Sequence, residues 1–483
     1  MVSSYIGRLS DDILLMIFKL VREEDQAASD DYLQKENTII GRRWDDWGDG
    51  LDELVELDGD YEQWRLELAD RLFAGNITDD PPPRSALLQA TRVCEHWHSL
   101  VSQTPSMWTV LEISFREGDA ALEHARTFLQ RSGSCLIQIT ILWDDPAWIA
   151  PVYENLVERS GGALPPQSRE EIMAGVHLSS VIQELHAHVH HWHEFTLRTT
   201  SIAHTYQALS LMSRPSVHPA CGLEKLHPQS IHNSRHATHF IGEPSLFPGS
   251  APPIRDLLLF GITWAWPSSS MLSSNLTNLR IRYDIHMNDY NTNSRTGPEA
   301  EMLSQFLGAL INLRTLALEV NLRSFNTHTI KLPRLHSLAI KSRTIDCWGT
   351  GFLHNVQMPD LRILTLCVTA EDPDDSIEYF LDDLVNLTDS EDPLELDELH
   401  LFDFAQHVDA EFLHRLYTQM SKVKTLTLGP GEDYDNIVLA TALLPTPSSL
   451  LDTPCPKNCW VDKPVEFIVF DNARAGLPAS ILL

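Results

Sequence analysis

Along the C-terminal half of the chain, apolar residues fall into a short recurrent pattern: an apolar residue, two variable positions, a second apolar residue, one variable position and a third. It is carried by Ile254-x-x-Leu257-x-Leu259, Leu276-x-x-Leu279-x-Ile281, Leu313-x-x-Leu316-x-Leu318 and Leu335-x-x-Leu338-x-Ile340. It continues in Leu361-x-x-Leu364-x-Leu366, Leu396-x-x-Leu399-x-Leu401 and Val423-x-x-Leu426-x-Leu428. Trp192-x-x-Phe195-x-Leu197 and Val465-x-x-Ile468-x-Phe470 are weaker outer copies. The alternating end of each copy predicts a short strand with one apolar side. One such strand cannot bury that side alone, so repetition predicts that successive copies stack into a parallel sheet. The middle residues fall at 257, 279, 316, 338, 364, 399 and 426, so the copies are 22, 37, 22, 26, 35 and 27 residues apart. Helical connections are expected at 298–310 and 410–420, whereas the Pro-, Ser- and His-rich stretch 213–253 and the Pro- and Thr-rich stretch 441–465 read as loop excursions.

Near the N-terminus the period changes to that of a helix. Ser10 is placed to cap exposed amides, Asp11 and Asp12 complement the positive end of the dipole, and Ile13, Leu14, Ile17, Phe18 and Val21 follow as an apolar stripe. A second helix is expected after Pro81-Pro82-Pro83, starting at Ser85 and carrying Leu88, Val93, Cys94, Trp97, Leu100 and Val101. Thr104-Pro105 reads as a cap with proline at the first position of a further turn, leading to Met107 and Trp108. The intervening 21–84 segment holds 19 Asp or Glu against 7 Lys or Arg, which sets it apart as an acidic insertion. Leu51, Leu54, Val55, Tyr61, Trp64, Leu68 and Leu72 lie near helical spacing within it, but the excess of like charge favours a surface loop with nascent helix.

Leu9-Ser-Asp-Asp-Ile-Leu14, then Val93-Cys94-x-x-Trp97, then Pro105-x-x-Trp108 occur in the order of an F-box, and the chain resembles that family in the split form of its fungal members. Ser10 stands where the family usually has proline and Asp12 where it has glutamate; Arg131-Ser-Gly followed by a strand belongs to the same resemblance. The resemblance implies a small all-helical F-box formed by 6–20 and 85–112, interrupted by the acidic insertion 21–84. Its role would be to bind the Skp adaptor and, through it, a cullin-RING ubiquitin ligase. Leu9, Ile13, Leu14, Ile17, Leu88, Val93, Cys94, Trp97 and Trp108 are the positions implied for adaptor binding or for the core of that module.

The repeated hexapeptides resemble degenerate leucine-rich repeats in which the usual asparagine after the strand is mostly absent. An α/β chain is therefore expected: the F-box, an irregular leucine-rich-repeat-like solenoid over 113–470, and a tail at 471–483. The solenoid would present an unidentified target protein for ubiquitination. Asp256, Phe260, Arg280, Arg282, Glu319, Lys341, His400 and Phe402 flank the buried strand positions and are the candidate target-binding residues, since arginine and aromatic side chains dominate binding hot spots. The alternative is a non-catalytic leucine-rich scaffold whose F-box-like helices only cap the repeats, with no ligase role.

Composition narrows the classes further. A formal net charge of −31 argues against a nucleic-acid-binding protein, which needs Lys and Arg to displace counterions. No run of about eighteen apolar residues is available to span a bilayer, and the opening residues lack the basic and apolar regions of a secretory signal. An intracellular location, cytoplasmic or nuclear, is expected. Seven cysteines, scattered and odd in number, do not make a disulfide framework.

The run His186-Ala-His-Val-His-His-Trp-His193 invites a metal reading, with His186 and His190 at helical i, i+4 spacing. No matching set of cysteines or carboxylates follows, and His193-Glu194 is not completed to a metalloprotease motif. Cys455 and Cys459 form an isolated pair. Neither a phosphate loop nor a Gly-x-Ser-x-Gly elbow occurs. The expectation is a binding protein, not an enzyme, with no cofactor and no metal.

Overall fold

The computed structural model describes residues 10–22, 91–143, 169–230, 246–248, 252–262, 275–283, 300–320, 329–342, 348–368, 380, 384, 394–402, 423 and 425–429. The chain forms two compact units, Met1–Pro253 and Ile254–Leu483. Both combine helices with parallel strands, so the α/β class holds.

In the first unit the described order is α1 (11–22), α2 (Glu95–Ser102), β1 (Val110–Ser114), α3 (Ala120–Ser132), β2 (Ile137–Trp143), α4 (Arg169–Ala187), β3 (Trp192–Thr199), α5 (Ile202–Met212) and β4 (Lys225–Ser230). The strands lie side by side and parallel in chain order. Their apolar positions are in register, Leu111 beside Ile139, Phe195 and Leu226, and Ile113 beside Ile141, Leu197 and Pro228. Helix α3 packs against β1 and α4, and α4 against α5. Its buried residues Ala121, Ala125, Phe128 and Leu129 recur at helical spacing, and the helix stops where Gly133 takes φ +59°.

Two expectations are corrected here. Strand β1 starts at Val110, inside the range expected to be wholly helical F-box, because Leu111 and Ile113 find an apolar neighbour in β2 that five residues of local pattern could not announce. The 213–253 stretch is not all loop, since it contains β4. Its polar, proline-bearing sequence hides a strand in which only Leu226, Pro228 and Ser230 turn inward.

In the second unit β5 (Asp256–Phe260), β6 (Asn278–Arg282), β7 (Thr315–Glu319), β9 (Ser337–Ser342), β11 (Ile363–Val368), β12 (Glu398–Phe402) and β13 (Thr425–Gly429) form one parallel run in that order. Helix α6 (Ala300–Gly308) precedes β7 and falls within the helical connection expected at 298–310. The two-residue strands β8 (Ile330–Lys331) and β10 (Val356–Gln357) pair separately. The expected helix at 410–420 and the outer copy at 465–470 lie outside the described residues.

Each hexapeptide copy in this run supplies one strand, and the copies align without slippage. Leu257, Leu279, Leu316, Leu338, Leu364, Leu399 and Leu426 share one register row, and Leu259, Ile281, Leu318, Ile340, Leu366, Leu401 and Leu428 another. The leading apolar residues, from Ile254 and Leu276 to Leu396 and Val423, are buried as well. Full burial of one such side chain is worth about 1.5–3 kcal/mol, so stacking is the main source of cohesion in this sheet.

Backbone polar groups follow the same repeat. The two amides at the entry of each strand donate to one carbonyl of the preceding copy: Arg314 and Thr315 to Thr277, His336 and Ser337 to Arg314, Arg362 and Ile363 to His336, and Asp397 and Glu398 to Arg362. Distances run from 2.8 to 3.1 Å. A shared carbonyl has two lone pairs, so each entry satisfies otherwise orphaned donors.

The turn into β4 is tightly packed. A Cβ built on Gly222 would lie 2.8 Å from Leu136 Cδ2 and 3.0 Å from the Trp192 carbonyl oxygen. The leucine end can swing away, but the carbonyl belongs to the start of β3. Gly222→Ala is therefore expected to destabilise the first unit by roughly 1–3 kcal/mol, read as a lower denaturant midpoint of its unfolding transition. A midpoint equal to that of the parent chain would show that this contact is slack.

Candidate functional site

Helix α1 begins as its residues dictate, with the Leu14 amide donating to the Ser10 carbonyl at 3.0 Å and acidic Asp11 and Asp12 in its first turn. Its apolar residues divide between two faces. Leu14 and Phe18 are buried, and the Phe18 ring meets Trp97 of α2 edge-on at 4.9 Å. Ile13, Met16, Ile17 and Leu20 point outward, with 41, 57, 36 and 59% of their surface exposed. The single stripe read from Ile13 to Val21 is thus two stripes. Met16 and Leu20 were not among the expected site residues, although their i, i+3, i+4, i+7 spacing with Ile13 and Ile17 is visible in the sequence.

The two helical segments meet although residues 23–90 separate them. Besides the Phe18–Trp97 contact, Arg22 donates from Nη1 to the Ser106 carbonyl and, at 3.1 Å, to Thr109 Oγ1. Asp11 and His96 approach to 3.0 Å, but both are more than half exposed, so that pair adds little.

Helix α2 starts at Glu95, with Cys94 in extended conformation at its N-cap and Val93 in the preceding turn. Both were expected on the helix. They precede it because the acidic Glu95, not Val93, suits the first helical turn. Cys94 is exposed and Val93 is 60% exposed. Trp97 is half-buried. Leu9 and Leu88 lie outside the described residues.

Trp108 occupies the 3-10 turn Pro105–Trp108, and Pro105 takes the first position as expected. It is completely buried, donates from Nε1 to the Val101 carbonyl at 2.8 Å and meets Phe128 edge-on at 5.0 Å. The Arg131 guanidinium lies 4.3 Å from its ring centre. Trp108 and Leu14 are therefore core residues, and Ile13, Ile17, Val93 and Cys94 are the expected positions available at the surface.

On the second unit, most of the candidate target-binding residues fall on neighbouring register positions of one sheet face. Phe260, Arg282, Glu319, Lys341, Cys367 and Phe402 form one row across six strands. Arg280 and His400 belong to the next row, with Ala317, Ala339 and Thr365 between them, and Asp256 and Glu398 to a third. Within the first row Glu319 holds Arg282 at 2.8 Å and Lys341 at 3.2 Å, and the Arg282 guanidinium lies 4.6 Å from the Phe260 ring centre. His400 approaches Glu398 at 3.4 Å. Arg280 is the exposed member, while Asp256, Phe260, Arg282, Glu319, Lys341 and His400 are half-buried. The charges that read in sequence as separate contacts largely engage each other.

His186 and His190, spaced i, i+4 in the sequence, do not share a helical face. Helix α4 ends at Ala187, so His190 lies in the following 3-10 turn Val189–His191. His186 is buried against Phe247 instead, with ring centres 6.4 Å apart, and burial lowers its affinity for a proton. Among the described residues no group of three or more His, Cys, Asp or Glu is arranged to hold a metal ion. Nor, among those residues, is any helix long and apolar enough to cross a membrane. No protein-family model matches the chain, and no curated protein matches it significantly.

Proposed function

We propose that this chain is the substrate-recognition subunit of an SCF-type cullin-RING ubiquitin ligase, with its N-terminal helices docking the Skp adaptor and its leucine-rich sheet reading the target. One observation carries the reading: two helical segments far apart in sequence are joined by Phe18, Trp97 and Arg22, and beside that joint the apolar stripe Ile13, Met16, Ile17 and Leu20 faces outward. A helix gains nothing by exposing four large apolar residues to water, and an exposed stripe of this kind marks a protein interface. A helix serving only to cap its own unit would turn its large apolar residues inward, yet Ile17 is more than a third exposed.

In this reading the chain performs no bond-making step. It supplies proximity, holding a target near the transferred ubiquitin. The sheet, read as a degenerate leucine-rich solenoid, would offer the face bearing Phe260, Arg280, Arg282 and Lys341 to the target. Such a protein works inside the cell, in the cytoplasm or nucleus. The test is reconstitution: purified chain mixed with a purified Skp adaptor is expected to elute as a stoichiometric complex on size exclusion. A folded chain that elutes apart from the adaptor at micromolar concentrations overturns the assignment.

A further inference from the structure

The turn after α4 and the segment leading into β4 bring together four imidazoles that the sequence keeps in two places. The His190 ring centre lies 4.0 Å from that of His191 and 4.3 Å from that of His218, and His188 lies 6.3 Å from both His190 and His191. His188, His190 and His191 are half-buried, and His218 is exposed. The Nδ1 atoms of His190, His191 and His193 are buried with no hydrogen-bond partner among the described residues.

These facts favour one protonation state. A neutral ring can turn a lone pair toward the interior, whereas an imidazolium carries two N–H donors and needs an acceptor for each. Rings so close also repel once more than one is charged. Burial first, and then the neighbouring imidazoles, hold His190 and His191 below the ordinary histidine value of 6.5.

The groups on the surrounding elements do not offset this. At the end of α4, His186 is itself held low by burial and by Arg214, and Glu184 is engaged by Arg126 at 3.0 Å. At the start of β3, Glu194 accepts from Lys225 at 2.9 Å and from Gln138 at 3.3 Å. The segment leading into β4 contributes the cation Arg214, the free thiol of Cys221, and Glu224, which has interactions of its own; Cys135 precedes β2 as a second free thiol. His193 and His227 complete the titratable groups of β3 and β4 nearby.

We infer that this imidazole cluster is an acid-sensitive latch, fastening the 213–224 segment to the 188–193 turn while its rings are neutral and releasing that segment when the cluster takes up protons. The inference is independent of the adaptor reading. Its sign follows from linkage: His190 and His191 bind protons more readily with the segment released than with it fastened. The latch is thus complete above the free-imidazole value and is lost as pH falls below it toward the depressed values that His190 and His191 have in the closed state.

What would be lost is local. The Glu224 amide donates to the His193 carbonyl at 2.8 Å, Ser216 Oγ donates to the His186 carbonyl at 3.3 Å, and Gly222 lies against the Trp192 carbonyl.

Hydrogen exchange of the full chain, read by mass spectrometry at about pH 7.5 and about pH 5.5 and corrected for intrinsic rates, tests this directly. Protection of the peptide covering 213–226 is expected to fall at least about tenfold at the lower pH, while peptides from β6 and β7 keep theirs. In the double variant His190→Gln, His218→Gln the fall is expected to shrink below about twofold, because too few rings remain to repel. If that variant has lost protection at the higher pH, His218→Gln alone, at an exposed position, replaces it and must still blunt the response. Unchanged protection of the parent chain at the two pH values, or an equal fall in the variants, overturns the latch.

Discussion

With α1 docking the adaptor as proposed, aspartate at both Ile13 and Ile17 is expected to lower adaptor capture at least about a hundredfold, roughly 3 kcal/mol of binding free energy, while the chain stays folded. The two effects separate because these side chains lie on the outward face of α1, whereas Leu14 and Phe18 hold the helix to α2. Within the folded chain the change costs about half a kcal/mol per site in helix propensity. In the proposed complex it would remove two apolar anchors and place carboxylates in a desolvated interface, where each costs several kcal/mol unless paired. The measurement is adaptor affinity by calorimetry, alongside circular dichroism and a melting temperature. Met16→Asp with Leu20→Asp should behave alike, since those residues continue the same stripe. Parent-like affinity in both pairs would mean that the adaptor, if it binds, uses another surface.

Trp108→Ala is expected to give the largest loss of stability of any single change considered, about 3–5 kcal/mol. The indole fills the space between the end of α2 and α3, touches Phe128 and Arg131, and satisfies the Val101 carbonyl. Truncation leaves a cavity and removes that donor together. Domain stabilities run to about 5–15 kcal/mol, so about a fifth or more of the first unit's stability is at stake. Trp108→Phe keeps most of the packing and loses the hydrogen bond, so a smaller cost of about 1–2 kcal/mol is expected. Urea unfolding followed by tryptophan fluorescence separates the variants. A loss below about 1 kcal/mol for the alanine variant would show that this part of the unit repacks freely.

These two expectations mark where sequence and tertiary structure each had authority. The hexapeptide pattern by itself determined the strands of the second unit, because alternation is a property of neighbouring residues and the middle leucines from Leu257 to Leu399 share one buried row. The proline at Pro105 and the glycine at Gly133 likewise mark local backbone limits that hold whatever surrounds them.

Which face of α1 turns inward was not decided locally. Leu14–Phe18 and Ile13–Met16–Ile17–Leu20 are both apolar at helical spacing, and the first is the buried one, with Phe18 against Trp97, a residue far along the chain. The same holds for the charges on the sheet face. Arg282 and Lys341 are far apart in sequence, yet Glu319 binds both because β6, β7 and β9 are adjacent. His218 joins His190 for a similar reason, since the segment before β4 packs across the turn that opens β3. Period and capping are written in consecutive residues, but a partner is chosen by proximity, and proximity between distant segments exists only once the core has formed.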